Sequence, residues 1–95
     1  MHRLPPFTWT RTFEAAARLL SFTAAARELG ITQSAVSQQI RALEAHLGQQ
    51  LFARRGRGMV LTETGSRLYP SIRGSFDSLQ RAYSPYLSGK KSYTV

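Results

Sequence analysis

Hydrophobic residues in the first part of the 95-residue chain recur with the spacing of a helix. The first stripe falls at i, i+3, i+4 and i+7, which predicts an amphipathic helix that ends near Leu20. Thr8 is the expected N-cap of this helix, and Pro5-Pro6 closes a short arm before it. The stripe consists of Phe13, Ala16, Ala17 and Leu20.

A second, shorter helix is predicted to follow almost at once, with Thr23 as its N-cap and Leu29 near its end. Gly30 then stands where helices favour a left-handed C-terminal residue. Only residues 30–32 separate this helix from the next, so the turn between the two is tight. The small apolar face of the second helix consists of Ala25, Ala26 and Leu29.

The third predicted helix carries an apolar stripe and a polar stripe. Thr32 is its expected N-cap, the helix runs to about His46, and Gly48 ends it. At about 100° per residue, the two stripes lie roughly half a turn apart. The apolar stripe is Val36, Ile40, Leu43 and Leu47, and the polar stripe is Ser34, Ser37, Gln38 and Arg41.

Two short strand-like segments, residues 51–53 and 59–61, predict a β-hairpin after the third helix. The connecting loop, residues 54–58, contains two glycines and the three arginines Arg54, Arg55 and Arg57. A narrow basic loop can contact phosphates or place an arginine in a minor groove. Taken alone, however, a charge run of this kind is more often a solvated turn.

A long fourth helix is predicted over residues 63–88, with Thr62 as its N-cap. Its apolar residues form a heptad-like stripe, which Pro70 and Gly74 interrupt. The stripe can pack on its own domain or pair with a second copy of the chain. Because a helix of about 24 residues is roughly 36 Å long, a small core cannot cover all of it. We therefore favour homodimerisation through Leu68, Ile72, Phe76, Leu79, Tyr83 and Tyr86.

The charge balance indicates a polyanionic partner. Lys and Arg total 13 against 5 Asp and Glu, the formal net charge is +8, and all but two of the basic residues are Arg. Arg makes forked contacts with phosphates and guanine edges, which favours nucleic acid over an anionic membrane surface. No apolar run could span a bilayer and no signal-peptide core follows the N-terminus, so we expect a cytoplasmic protein.

The inventory of reactive side chains gives almost no support to an enzyme. The sequence has no Cys, its histidines are His2 and His46, and its five carboxylates lie well apart. No spacing typical of a nucleophile and its base, or of metal ligands, occurs. We therefore expect a binding module with no catalytic residue, no metal and no cofactor within these residues.

The second helix, the tight turn and the third helix form a candidate helix-turn-helix. The start of the third helix would enter a DNA major groove, which is about 12 Å wide. There the serines and the glutamine of the polar stripe can bond base edges or phosphates, and Arg41 can reach phosphate or guanine. Thr23 and Thr32 are first of all caps, and each can also meet a phosphate at a helix N-terminus. An ordinary three-helix bundle explains the turn and the polar stripe equally well; the charge and the hairpin favour DNA.

Two other interpretations remain open at this point. A basic, non-specific nucleic-acid-binding or architectural protein would share the charge but needs no ordered polar stripe. A helical protein-interaction module would dimerise through residues 68–86 and ignore DNA. The salt dependence of DNA binding and the ratio of specific to non-specific affinity distinguish the three.

The chain also carries closely spaced motifs in a fixed order. They are Phe13-Glu14-Ala15-Ala16-Ala17-Arg18, Ser21-Phe22-Thr23-Ala24-Ala25-Ala26, Thr32-Gln33-Ser34-Ala35-Val36-Ser37-Gln38-Gln39-Ile40, Leu43-Glu44, Leu47-Gly48, Leu51-Phe52, Arg54, Arg57, and Leu61-Thr62-Glu63 with Gly65. Over about residues 5–87 they resemble the N-terminal domain of LysR-type transcriptional regulators. The segments at 4–6 and 75–77 add a resemblance to the subgroup of glycine-cleavage and β-lactamase regulators.

The resemblance implies a mainly α fold, in which a winged helix-turn-helix (three-helix core plus short β-hairpin wing) over residues 1–62 precedes a dimerising linker helix over 63–88. Residues 89–95 would begin a linker to a larger C-terminal domain, absent from these residues, that senses a small-molecule co-inducer and drives tetramer formation. The implied function is transcription regulation by a homodimer bound to double-stranded DNA at promoters. Two-fold symmetry then predicts an inverted-repeat operator.

The resemblance also assigns roles by motif position. Base- and phosphate-contacting residues of the family match Gln33, Ser34, Ser37 and Gln38, and its wing arginines match Arg54 and Arg57. Many family members carry Arg where this chain has Gln38. That departure would exchange a guanine contact for an adenine contact or for none.

Overall fold

The computed structural model describes residues 3–93, with side chains as far as residue 87. Its elements, in chain order, are α1 (Phe7–Leu19), α2 (Phe22–Leu29), α3 (Gln33–Leu47), β1 (Phe52–Arg55), β2 (Gly58–Leu61) and α4 (Glu63–Tyr93). The predicted mainly α fold, with three short helices, a hairpin and a long final helix, is confirmed.

Four of the predicted helix boundaries are confirmed. The hydroxyl of Thr32 accepts a hydrogen bond from a backbone N–H in the first turn of α3 at 3.0 Å. The hydroxyl of Thr62 does the same for α4 at 3.1 Å. Gly30 and Gly48 take left-handed φ values of 69° and 68° at the ends of α2 and α3. Gly30, Thr32 and Gly48 therefore set the boundaries within the helix-turn-helix segment, and Thr62 sets the start of α4.

Two predicted N-caps are wrong. Helix α1 begins directly after Pro6, whose ring fixes φ at −54°, so Thr8 already lies inside the helix. Helix α2 is capped by Ser21, whose extended backbone lets its hydroxyl accept from a first-turn N–H at 3.0 Å. Thr23 is therefore a helical residue with its side chain exposed.

The hairpin loop is shorter than predicted. The antiparallel strands pair up to Arg55 and Gly58, so only Gly56 and Arg57 form the loop. Gly56 adopts a left-handed φ of 60°, which suits a two-residue loop between twisted strands. Arg54 and Arg55 consequently belong to β1 and not to the loop.

The core joins α1, α2, α3, the base of the hairpin and the start of α4. Phe13 is fully buried, and its ring packs edge-on against Phe52 at 5.8 Å and Tyr69 at 6.3 Å between centroids. Alanines fill most of the remaining helix contacts, which lets the helix axes approach closely. The buried apolar residues are Phe13, Ala15, Ala16, Ala17, Ala25, Ala26, Val36, Ile40, Leu43, Leu51 and Phe52.

Two residues of the predicted apolar stripes lie outside this core. Leu20 is 46% exposed in the turn after α1, where its φ is 49°. Leu47 is 39% exposed at the last position of α3. Both stripes therefore end one turn earlier than their spacing predicted.

Helix α4 is 31 residues long, or about 46 Å, and accounts for the 48 Å length of the molecule. It continues through Pro70 and Gly74, which were predicted to interrupt it. It also continues to Tyr93, past the predicted end at residue 88. The last two residues of the predicted linker, 94 and 95, and residues 1 and 2 of the arm lie outside the described residues.

A glycine allows α4 to start against the base of the hairpin. A Cβ atom at Gly65 would lie 2.3 Å from the backbone oxygen of Leu51 and 3.0 Å from the Leu61 side chain. No side chain fits at that distance without moving the backbone. The beginning of α4 and the start of the hairpin are therefore in direct backbone contact.

Candidate nucleic-acid interface

Helix α3 turns its polar stripe away from the core. Val36, Ile40 and Leu43 are at most 3% exposed and hold one side of the helix against α1 and α2. The predicted polar stripe lies on the other side, where Ser37 is half-buried and its other members are exposed. The exposed members are Ser34, Gln38 and Arg41.

The hairpin stands beside α3 and forms a groove with it. This groove has a volume of about 520 Å³ and is walled by α2, α3 and the two strands. It brings together six of the ten residues that the sequence predicted to contact DNA. These are Thr23, Gln33, Ser37, Arg41, Arg54 and Arg57. We call this cleft the α3–wing groove.

The other four predicted residues lie outside the α3–wing groove. Ser34 and Gln38 are exposed on the outer side of α3, and Arg55 is exposed on β1. Thr32 is exposed at the start of α3, where its hydroxyl is used by the helix cap. These four residues surround the groove on the same elements and do not line it.

A hydrogen bond between α2 and α3 orients the first side chain of α3. The Thr23 hydroxyl donates to Oε1 of Gln33 at 3.1 Å. The amide NH₂ of Gln33 has no protein acceptor among the described residues. It therefore remains a donor at the entrance of the groove, and Thr23 acts as a positioning residue for it.

The arginines around the groove carry uncompensated charge. Among the described residues, none of Arg41, Arg54, Arg55 and Arg57 forms an ion pair. The one carboxylate that lines the groove is Glu44. Its Oε2 accepts from the backbone N–H groups of residues 51 and 52, at 2.7 and 3.3 Å, so its charge is held at the base of the hairpin.

The first turn of α3 adds to this positive field. It contains no acidic residue, and the N-terminal end of a helix carries partial positive charge. Gln33, the first residue of α3, lines the groove. The groove therefore combines amide, hydroxyl and guanidinium groups with a helix N-terminus, which suits a polyanion with hydrogen-bonding edges.

Sequence reasoning missed the groups that brace the hairpin. Besides the two Glu44 contacts, the hydroxyl of Thr62 donates to the backbone oxygen of Gln50 at 2.6 Å, and that of Thr64 donates to Oε1 of Gln49 at 3.0 Å. No local pattern around Glu44 indicates which groups its carboxylate meets. The signal in the sequence for these contacts was the close spacing of the two motifs Leu43-Glu44 and Leu51-Phe52.

The apolar stripe of α4 divides into two parts. Leu68 and Ile72 pack against the core, and Phe76 is half-buried with its ring 5.6 Å from that of Phe7. Further along, the predicted dimerisation residues are uncovered: Leu79 is 44%, Tyr83 60% and Tyr86 75% exposed. One half of the predicted stripe thus completes the protein's own fold, and the other half is free for a partner.

The described residues offer neither a membrane-spanning helix nor a metal site. Within the part of the chain that is described, no helix has the length and apolarity needed to cross a membrane. Nor do three His, Cys, Asp or Glu side chains gather there as a metal site would require.

Comparison with known proteins identifies the family. Residues 7–66, from the start of α1 to the first turn of α4, match the bacterial regulatory helix-turn-helix protein, lysR family. The chain is 52% identical over 80 residues to the glycine cleavage system transcriptional activator of Escherichia coli (strain K12). It is 49% identical over 88 residues to the HTH-type transcriptional activator AmpR of Providencia stuartii.

These relatives are much longer than the chain. The match covers 84% of this chain but 26% of the glycine cleavage activator, and 93% of this chain but 30% of AmpR. Their names agree with the subgroup that the sequence resembled.

Solved structures show the same fold on DNA. The DNA-binding domain of BenM in complex with catB site 1 DNA superposes with a TM-score of 0.79 at 29% identity, covering 94% of this chain and 97% of that one. The CbnR DNA-binding domain in its DNA complex gives a TM-score of 0.74 at 29% identity, covering 90% and 99%. The chain therefore belongs to the LysR family of bacterial regulators, as a winged helix-turn-helix DNA-binding domain followed by a long linker helix.

Proposed function

We propose that this chain binds double-stranded DNA as a homodimer, reads a specific inverted-repeat sequence, and thereby regulates transcription. The observation that carries the proposal is the α3–wing groove, in which amide and hydroxyl groups lie beside arginines that form no ion pair with any described residue. A merely basic surface would supply the charge but not the oriented amide and hydroxyl groups at the start of α3.

The recognition step uses α3 as the helix that enters the major groove. An amide side chain can make two hydrogen bonds with an adenine edge, and an arginine can do so with a guanine edge. We assign base contacts to Gln33 and Ser37, at the start of α3, and to Gln38 on the exposed side of the helix. Arg41 lies further along and reaches phosphate or guanine.

The hairpin acts as the wing. Arg54, Arg55 and Arg57 project from a two-residue loop and the end of β1, and all three are exposed. Contacts of this kind neutralise phosphates and release counterions, so they add affinity for every sequence alike. The wing would thus hold the domain on the backbone while α3 distinguishes sequences.

Dimerisation would use the uncovered part of α4. A stripe formed by Leu79, Tyr83 and Tyr86 faces solvent, and the burial of aromatic side chains of this size favours association. Two copies related by a two-fold axis would present two α3 helices to the same side of a duplex. This arrangement requires an inverted repeat as the binding site.

The relatives support a regulatory outcome. Both curated proteins named above are described as transcriptional activators. We propose activation or repression from a promoter site as the role of the protein to which this domain belongs.

The test of the proposal is selection of binding sites from random duplex DNA by the purified chain at near-physiological salt. We expect enrichment of one two-fold-symmetric sequence. A Gln33→Ala variant selected in parallel should enrich a different or a degenerate base at one position of each half-site. Binding without enrichment, which fades uniformly as salt rises, would instead identify a non-specific basic protein.

A second measurement tests the dimer. Sedimentation equilibrium of the chain, with and without the selected duplex, should show two protomers per site. Tyr83→Arg should shift the free protein to monomer and weaken binding to the full site, with binding to a single half-site retained. Dimerisation without salt-sensitive DNA binding would indicate a protein-interaction module.

A further inference from the structure

A buried carboxylate connects α1 to α4. Glu14, in α1, has a side chain that is only 6% exposed. Arg18, also in α1, donates to it through Nε at 2.9 Å and Nη2 at 3.1 Å. From α4, Arg73 donates through Nη1 at 2.7 Å and Tyr69 through its hydroxyl at 3.2 Å. We call these four residues the Glu14 cluster.

The cluster extends outward through its two arginines. Arg18 also reaches Glu28 of α2, with Nη1 at 3.2 Å from Oε1. Arg73 also donates to Oδ1 of Asp77, at 2.9 Å from Nη2 and 3.3 Å from Nε. The network therefore joins α1, α2 and α4, and it lies outside the α3–wing groove, none of whose lining residues belongs to it.

Directional bonds distinguish this contact from the rest of the α1–α4 packing. Leu68 and Ile72 also hold α4 against the core, but apolar contacts are non-directional and tolerate small rotations and shifts. Hydrogen bonds to a charged group weaken steeply when their geometry changes. A small rotation of α4 about the core would therefore break the Glu14 contacts before it separated the apolar ones.

The direction of α4 matters because the dimer surface lies far along it. From residue 73 to residue 87 the helix advances about 21 Å. A rotation of about 10° at Arg73 moves the far end by roughly 3.7 Å, close to the ~3.4 Å rise of one base pair. Because both protomers of a symmetric dimer would shift, an error of this size in the direction of α4 would change the distance between the two α3 helices by up to about two base-pair steps.

We propose that Glu14, Tyr69 and Arg73 are positioning residues that set the half-site spacing which the dimer accepts. The inference rests on the proposed function, since it assumes a dimer that is formed through α4 and reads two half-sites. It assigns a role in specificity to residues that do not line the α3–wing groove.

The experiment measures binding to a series of duplexes. All carry the selected half-site as an inverted repeat, and the spacer between half-sites is lengthened or shortened by one or two base pairs. Affinities are compared for the natural chain, for Arg73→Met and for Tyr69→Phe. Arg73→Met keeps an apolar stem of similar length, and Tyr69→Phe removes a single hydroxyl. Each variant is also measured on an isolated half-site.

A matched control exists on the same helix. Arg67 forms an ion pair with Glu63 at 2.8 Å within α4, and both side chains are 79% exposed. Arg67→Met removes the same charge from the same helix without touching α1. Any general effect of lost positive charge will therefore appear in this control, as a uniform loss of affinity across all spacers.

The natural chain is expected to prefer one spacer over its neighbours by about tenfold or more. In Arg73→Met this preference should fall to about threefold or less, with half-site affinity unchanged. Tyr69→Phe should give an intermediate profile, and Arg67→Met the natural one. A spacer preference in Arg73→Met and Tyr69→Phe equal to that of the natural chain would overturn the inference while leaving the proposed function intact.

A natural chain that bound two half-sites with no spacer preference would overturn the proposed dimer itself, and with it the inference. If Arg73→Met does not fold, as judged by circular dichroism, the result for Tyr69→Phe decides.

A distance measurement tests the same idea without DNA or a dimer. The chain has no cysteine, so Ala45→Cys on α3 and Gln80→Cys on α4 create two unique, exposed positions for spin labels. Labelled chain diluted into excess unlabelled chain reports only the distance within a protomer. We expect a narrow distance distribution that broadens in Arg73→Met and not in Arg67→Met. Equal widths in both variants would contradict the proposed positioning.

Discussion

The arginines on the two sides of the molecule have opposite surroundings. Around the α3–wing groove, Arg41, Arg54 and Arg57 form no ion pairs within the described residues. On the α1–α4 side, Arg18 and Arg73 share the buried carboxylate of Glu14 and each reaches a second acid. All of these residues are arginines. Whether one forms an ion pair depends on where the few carboxylates of the chain lie.

The difference shows how a chain with 13 basic and 5 acidic side chains directs its charge. Glu14, Glu28 and Asp77 pair with arginines on the α1–α4 side, and Glu44 is bound by backbone N–H groups. Four of the five acids thus hold the fold together, and among the described residues Glu44 is the one of them that lines the groove, where backbone N–H groups bind its carboxylate. We infer that the arginines paired with the buried acid have a structural role, and that the arginines beside the groove are available for binding.

The largest expected effect comes from removing two unpaired arginines. Arg54→Ala combined with Arg57→Ala should weaken DNA binding on the order of 100-fold, since each contact to a charged group contributes about 1.5 kcal/mol or more. The slope of log K against log salt should become shallower by about 1.8, or ~0.9 for each lost phosphate contact. Thermal unfolding should be unchanged.

The matched comparison is Arg18→Ala, which removes an arginine that forms ion pairs with Glu14 and Glu28. It should lower the melting temperature and leave the salt slope of the folded protein as it was. Should the two variants show the same combination of effects, the division between binding and structural arginines would be wrong.

The next effect concerns the buried acid. Glu14→Gln should destabilise the fold by about 1–3 kcal/mol at neutral pH, because charge-assisted hydrogen bonds to Arg18 and Arg73 are weakened. Chemical denaturation measures this difference. Glu28→Gln, on an exposed acid that touches only Arg18, is the control and should cost less.

The stability that Glu14→Gln removes should also depend on pH. Burial raises the pKa of Glu14, but hydrogen bonds from Arg18 and Arg73 outweigh burial and bring the pKa below its ordinary value of 4.5. A lowered pKa means that the stabilisation is complete above about pH 4.5 and is lost as the pH falls through the lower, folded-state value. The stability difference between natural chain and Glu14→Gln should therefore shrink in acid. A difference that stayed constant from pH 7 to pH 3 would contradict the ionised state of Glu14.

An effect of similar size is expected at the start of α3. It concerns the base specificity of DNA binding and not the stability of the fold. Gln33→Ala should reduce discrimination at one base position by about 1–2 kcal/mol, or roughly tenfold. Thr23→Val should have a weaker effect at that same position, because Thr23 only orients the amide. Competition binding with single-base variants of the selected site measures both. An effect of Thr23→Val at a different position would exclude this indirect role.

The smallest effect is expected from Arg55, which lies outside the α3–wing groove. Arg55→Ala should weaken binding to all sequences equally and reduce the salt slope by about 0.9. Salt titrations on the selected site and on an unrelated duplex measure it. An unchanged slope would show that Arg55 touches no phosphate.

The sequence predicted the elements that are specified locally. Thr32 and Gly48 mark the ends of α3 because capping and left-handed turns depend on the residue in place. Thr8 and Thr23 failed as caps because Pro6 and Ser21, each two residues earlier, occupy the cap positions. A hydroxyl near the start of a helix can therefore lie either at the N-cap or inside the first turn.

Contacts between distant segments were not predictable from spacing. The α4 stripe has one periodicity, yet Ile72 packs on the core and Tyr83 is 60% exposed. Glu14 and Arg73 are separated by 59 positions, so no local pattern connects them. The six groove residues were each named from the sequence, but their arrangement around one cleft depends on how the hairpin is braced against α3.

Because of its two-residue loop, the wing can also report, through protease digestion, whether DNA covers it. Trypsin cleaves after arginine, and exposed loop tips are the segments that proteases reach first. Arg57 therefore places a cleavable bond in this accessible loop, whereas cleavage after helical or strand-paired arginines requires local opening. A duplex that covers the wing would shield the bond between Arg57 and Gly58, so protection of that bond under brief digestion can serve as a label-free measure of how much protein is bound.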